Sequence, residues 1–121
     1  MKKNIMTVED STSLREAISF TLTGADYSVI QAEDGLDALN KINGHKIDLI
    51  ITDLNMPNMN GIELTRSLRA KKEFRFTPII FLTTESQMQK KETARELGAT
   101  GWIVKPFKPD HLVRIVNKVL R

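Results

Sequence analysis

Cysteine is absent from this chain, which excludes a disulfide framework and thiolate metal sites. Long apolar runs are absent too. The opening MKKNIMTVEDSTS meets Glu9 and Asp10 before any stretch long enough for a signal peptide, and no later segment could span a bilayer. These absences predict a soluble, cytoplasmic protein with no membrane contact. Charge of one sign is not gathered in any block: the net charge is +3 and the pI about 9.3, yet basic and acidic residues are interspersed over most of the chain. Direct nucleic-acid binding is therefore not expected. Repeats, linkers and low-complexity tracts are also missing. With 121 residues, 40% hydrophobic and 27% charged, the expectation is one globular domain, residues 1–121, with a single core and no appended output domain.

What is present is alternation. Asn4 to Val8 reads as a first strand ending at Glu9 and Asp10. Ser11, Thr12 and Ser13 then offer helix caps, with Ser13 and Glu16 at capping-box spacing, and Leu14, Ala17, Ile18 and Leu22 fall on one helical face that Gly24 closes. Ser28 to Ala32 forms a second strand, followed by Asp34 as a cap and a helix carrying Leu36, Leu39 and Ile42 up to Gly44. The third strand, Leu49 to Asp53, is a continuous run bounded by the turn residues Asn55, Pro57, Asn58, Asn60 and Gly61, the mark of a strand buried on both faces. Gly61 to about Ala70 forms a helix with Ile62, Leu64 and Leu68, and a basic turn with Lys71, Lys72 and Arg75 leads through Pro78 to a fourth strand, Ile79 to Leu82, ending at Thr83 and Thr84. Ser86 can cap a fourth helix that stops at Gly98. A fifth strand, Gly101 to Val104, ends at Lys105, and Pro109 begins a last helix whose Leu112, Ile115, Val116, Val119 and Leu120 keep the spacing of a face packed on a sheet. Strands separated by helices run parallel, because each crossover returns over a face of the sheet with one hand. The expected fold is α/β: a five-stranded parallel sheet of flavodoxin-like order 2-1-3-4-5 with helices on both faces.

In such sheets ligands bind outside the carboxyl ends of the strands. Those ends carry Glu9 and Asp10, Asp53, Thr83 and Lys105. In the order 2-1-3-4-5 the first and third strands are neighbours, so Asp10 and Asp53 face each other across the crevice. Carboxylates packed together repel and need a cation, and hard oxygens with no His or Cys nearby select Mg2+ over zinc. Singly, each residue has a plainer role: Asp53 a cap or turn residue, Lys105 a solvated lysine, Thr83 a turn residue, the acidic pair a complement to a helix dipole. Their coincidence at the strand ends favours chemistry. A carboxylate beside a cation, an ammonium and a hydroxyl meets the needs of aspartate phosphorylation, in which positive charge neutralises the transferring phosphoryl oxygens and the carboxylate attacks in line.

The stretches VED at 8–10, DLNMPNMNG at 53–61, LTTES at 82–86 and KPF at 105–107 resemble response-regulator receiver domains, and among them the stand-alone chemotaxis regulators. The likeness runs from Asn4 to the C-terminus. It implies a phosphorylation-driven binding switch of two-component signalling, not a classical enzyme, which promotes only its own phosphorylation and dephosphorylation at Asp53. It further implies that Asp10, Asp53 and the backbone carbonyl of Asn55 hold Mg2+, with Glu9 acting through water. Thr83 then binds a phosphoryl oxygen and moves inward, Lys105 pairs with another, and the Lys105–Pro106 bond is cis. Glu9 departs from the pattern, since many members have Asp there. Trp102 departs as well, standing where members commonly carry a Tyr or Phe whose ring swings between outward and inward positions, and it is expected to switch with Thr83. Asn55 and Glu85, each two residues beyond a site residue, flank the path of the hydrolytic water and are expected to tune dephosphorylation.

The implied partners of this monomer are a chemotaxis-type histidine kinase and a downstream protein, such as a flagellar-motor switch. Lys90, Lys91, Arg95, Lys105 and Lys108 on or near the face of the last two helices and the fifth strand point to an acidic target segment. Two other classes use a similar frame. A Mg2+-dependent aspartyl-phosphate phosphatase of the haloacid-dehalogenase kind also places an aspartate nucleophile after a strand, but carries a second aspartate two residues on as general acid, where this chain has Asn55. An FMN-binding flavodoxin needs free N–H groups and hydroxyls after the first strand, where Glu9 and Asp10 would repel a phosphate.

Overall fold

A computed structural model describes residues 2–84 and 90–121. Strands β1 (Asn4–Val8), β2 (Ser28–Ala32), β3 (Leu49–Asp53), β4 (Ile79–Thr83) and β5 (Gly101–Val104) form one parallel sheet in the order β2-β1-β3-β4-β5. This is the expected doubly wound topology. Helices α1 (Thr12–Gly24) and α5 (Pro109–Leu120) cover one face, while α2 (Gly35–Lys41), α3 (Gly61–Arg69) and α4 (Lys91–Glu96) cover the other.

The pleat divides the core in two. Ile5, Leu49, Ile51, Ile80, Leu82 and Ile103 meet Ile18 and Leu22 of α1 and Leu112 and Val116 of α5. Met6, Val8, Ile50, Ile79 and Phe81 meet Ala38 and Ile42, Leu64 and Leu68, and Ala94 on the opposite side. β3 and β4 are buried along their whole length, as central strands with helices on both faces must be. Burial of each such aliphatic side chain contributes about 1.5–3 kcal/mol.

Several local expectations are corrected. α1 is capped by Ser11, whose hydroxyl accepts the Leu14 N–H at 3.3 Å, and Ser13 lies within the first turn. Ser11 prevails because the Glu9 carboxylate accepts its own N–H at 3.0 Å and fixes the chain one step earlier. Ala17 is exposed, and Leu36 is 47% exposed, because α1 and α2 turn narrower stripes inward than their apolar spacing offers. Asn60 is more than a turn residue: it forms a reciprocal capping box with Glu63 at the start of α3, with bonds of 2.9 and 3.0 Å. The basic turn contains one turn of 3-10 helix, Lys72–Phe74, and β4 extends through Thr83. Ser86, the expected cap of α4, lies outside the described residues. Among those described, no helix is long and apolar enough to cross a membrane.

Candidate functional site

The site lies where β1 and β3 end side by side. The register pairs Val8 with Thr52, which brings the residues that follow, Glu9 and Asp53, to the same level. Strand alternation sets both on the face covered by α1 and α5, and both are buried, at 1% and 4% exposure. Lys105 reaches them from beyond β5: its Nζ lies 2.9 Å from Asp53 Oδ2 and 3.0 Å from Glu9 Oε1. The Lys105 N–H donates to the Thr83 carbonyl at 2.7 Å, and the Lys105–Pro106 bond is cis. Asp10 is exposed at the mouth of the pocket, yet one oxygen from each of Glu9, Asp10 and Asp53 lies within 4.8 Å of the others.

Of the other expected residues, Asn55 touches this cluster, whereas Thr83 and Trp102 lie on the opposite sheet face. Asn55 is exposed, and its N–H reaches Asp53 Oδ1 at 3.4 Å. Thr83 is fully buried; by alternation it shares the opposite sheet face with Phe81, and its hydroxyl donates to the Thr84 carbonyl at 3.0 Å. Trp102 is half-buried beside Phe81, with ring centroids 5.5 Å apart and planes 27° apart, and the Lys91 ammonium stands 5.9 Å from its ring. Lys105 does not extend the basic surface with Lys90, Lys91, Arg95 and Lys108, because its ammonium is committed to the acidic pocket. Glu85 lies outside the described residues. One contact has no sequence signal: the Arg15 guanidinium, one turn into α1, donates to the Glu9 carbonyl at 2.7 Å and braces the β1–α1 loop.

Burial pushes the Glu9 carboxyl above its ordinary value, opposed by the Ser11 N–H and by Lys105, and reinforced by the charge of Asp53. For Lys105, burial alone would lower the ammonium, but hydrogen bonds to Asp53 and Glu9 outweigh it and hold the group above its ordinary value. Three carboxylates thus share a pocket with one ammonium. All the donors are hard oxygens, a set that suits Mg2+ and not a soft metal.

The match to known proteins agrees with this geometry. Residues 5–117 match the response regulator receiver domain. A chemotaxis protein CheY homolog of Campylobacter jejuni is 38% identical over 118 residues, covering 96% of this chain and 91% of that relative. The structure of the chemotaxis response regulator CheY4 of Vibrio cholerae is similar with a TM-score of 0.93 and 42% identity, covering 99% of this chain and 100% of that one. The receiver domain of a Pseudomonas aeruginosa sensor histidine kinase, solved with a magnesium ion coordinated in its active-site cleft, has a TM-score of 0.89 and 29% identity over 99% of this chain and 98% of that one. These likenesses favour a receiver over a phosphatase of the haloacid-dehalogenase kind. The chain belongs to the response regulator receiver domains of two-component signal transduction.

Proposed function

We propose that this chain is a phosphorylation-driven switch for chemotaxis or flagellar-motor control, in which Asp53 takes a phosphoryl group from a chemotaxis-type histidine kinase. The observation that carries the reading is Lys105, whose ammonium bridges Asp53 at 2.9 Å and Glu9 at 3.0 Å and so stands where phosphoryl charge would arrive. An Asp53 carboxylate oxygen attacks phosphorus in line; the bond from phosphorus to the donor imidazole nitrogen breaks, and its electron pair stays with that nitrogen. Lys105 then neutralises phosphoryl oxygens, and Thr83 turns its hydroxyl toward one of them. Asp10, Asp53 and the Asn55 carbonyl would hold Mg2+, with Glu9 joining through water; when bound, the ion adds positive charge against the transferring group. The burial of Glu9 against Lys105, set beside the exposure of Asp10, supports that division of roles. Water later attacks the acyl phosphate past Asn55 and Glu85, which set its lifetime, and the chain turns over no other substrate.

The signal leaves through α4, β5 and α5, where Trp102 follows Thr83 and where Lys90, Lys91, Arg95 and Lys108 suit an acidic segment of a separate target protein. Residues 1–121 act as one receiver domain and as a monomer. Acetyl phosphate with Mg2+ should add one phosphoryl group to the intact protein, and Asp53→Asn should abolish that gain by mass spectrometry. Full labelling of the variant would place the acceptor elsewhere. Steady phosphate release from a stable monoester would favour a phosphatase.

A further inference from the structure

Among the described residues, Asp34 is the buried carboxylate that the chemistry above does not use; it is 6% exposed. Its two oxygens are divided between two elements. Oδ1 accepts the Asp37 N–H at 2.8 Å and caps α2, while Oδ2 accepts the Asn58 side-chain N–H at 2.8 Å from the loop that joins β3 to α3. Serine or threonine would cap a helix as well, but neither offers a second oxygen. Beside this bond the Gly35 N–H donates to the Met59 carbonyl at 3.2 Å, and a Cβ at Gly35 would lie 2.6 Å from Met59 Cγ. Only glycine lets the two loops approach that closely.

Asn58 adopts φ of 66°, a left-handed conformation that Asn tolerates better than most residues. The β3–α3 loop carries Asn55, whose carbonyl is assigned above to the cation. Backbone bonds fasten its two ends: the Leu54 N–H donates to the Leu82 carbonyl at 3.2 Å, and the Gly61 N–H to the Leu54 carbonyl at 3.0 Å. Between them, among the described residues, the Asn58–Asp34 bond is the side-chain tie from this loop to an element other than β3 and α3, which flank it.

The geometry points to Asp34 and Asn58 as positioning residues for divalent-cation binding: their bond holds the β3–α3 loop so that the Asn55 carbonyl meets the acidic cluster. The inference rests on the reading that Glu9, Asp10 and Asp53 hold Mg2+. Calorimetric Mg2+ titration of the wild type, Asp34→Ser, Asn58→Gly and the double variant tests it. Asp34→Ser keeps a cap on α2 and removes the oxygen that Asn58 uses. Asn58→Gly keeps the left-handed backbone and removes the amide. Each single variant should weaken Mg2+ binding about tenfold, the lower end of what losing outer-shell support costs. The double variant should bind no more weakly than either single one, because both changes remove the same bond. A merely structural role would lower the melting temperature in metal-free buffer and leave the Mg2+ dissociation constant unmoved. Unchanged affinity in both single variants, or losses that add in the double variant, overturns the inference. A wild type that binds no Mg2+ overturns the reading of the acidic cluster instead. Should Asp34→Ser fail to fold, Asn58→Gly, at an exposed loop position, decides the question.

Discussion

Thr7 is fully buried in β1, and its hydroxyl has no hydrogen-bond partner among the described residues. Thr65 is equally buried, but its hydroxyl donates to the Gly61 carbonyl at 2.7 Å. A buried hydroxyl without a partner carries a desolvation penalty of about 1–3 kcal/mol, whereas a satisfied one contributes about 1 kcal/mol. Thr7→Val should therefore raise stability by about 1 kcal/mol in denaturant titrations, and Thr65→Val should lower it by a similar amount. A loss at both positions would show that Thr7 is satisfied by a buried water. Gly61 is constrained in another way: a Cβ there would stand 2.2 Å from the Asp53 carbonyl oxygen. Absence of a side chain at that one position lets α3 begin directly against the end of β3.

At the scale of the element, the start of α2 carries an acid-sensitive cap. The Asp37 N–H, and after it the Asn58 amide, hold the Asp34 carboxyl below its ordinary value. A depressed carboxyl contributes stability that is complete above about pH 4 and is lost as pH falls through the lowered value. Asp34→Ser should start less stable at neutral pH and lose less on acidification below about pH 4, read by melts across that range. A parallel acid limb in variant and wild type would mean that Asp34 does not titrate with folding. β5 carries the optical probe, since Trp102 is the only tryptophan. It stands opposite Phe81 in the register, and Thr83 lies two residues further along β4 on the same face. The proposed inward movement of Thr83 would open space beside this ring, and full burial of such a ring contributes on the order of 2–3 kcal/mol. Beryllofluoride with Mg2+, which imitates a phosphoryl group on aspartate, should shift or quench Trp102 emission and reduce its access to iodide, and Thr83→Ala should weaken that response. Unaltered emission with beryllofluoride bound would leave Trp102 a structural residue.

At the scale of the whole molecule, the acidic pocket exists only when β1, β3 and the β5–α5 connection are assembled, so a cation that binds it stabilises the entire fold. At Mg2+ a hundredfold above its dissociation constant, linkage adds about 2.7 kcal/mol. For a domain of this size that is a rise of roughly 10 °C in melting temperature. Asp53→Asn should begin from a higher melting temperature in metal-free buffer, with one repelling carboxylate gone, and should gain less from Mg2+. A wild type whose melting temperature ignores Mg2+ would remove the cation from the mechanism.

Much of this architecture was legible in the chain itself. Apolar runs and helical spacing are local, and they determined where the strands and helices lie, that the sheet is parallel, and that Glu9, Asp10, Asp53, Thr83 and Lys105 stand at strand ends. Local patterns could not decide between equivalent neighbours. Ser11 and Ser13 are both good caps, and the Glu9 carboxylate selected the first. Leu36, Leu39 and Ile42 are the expected inward residues of α2, yet Leu36 is 47% exposed while Gly35, Ala38 and Ile42 are buried, so the inward face is rotated from the one the large apolar residues mark. Nor could spacing assign partners across the chain. Lys105 meets Glu9 from 96 residues away, and Asn58 meets Asp34 from 24. Such pairings depend on which loops the sheet order brings together and on how deeply each side chain is then buried. Packing therefore decided that Lys105, offered by the chain to both the strand-end site and the basic surface, commits its ammonium to the first, and that a helix cap also ties down the loop after β3.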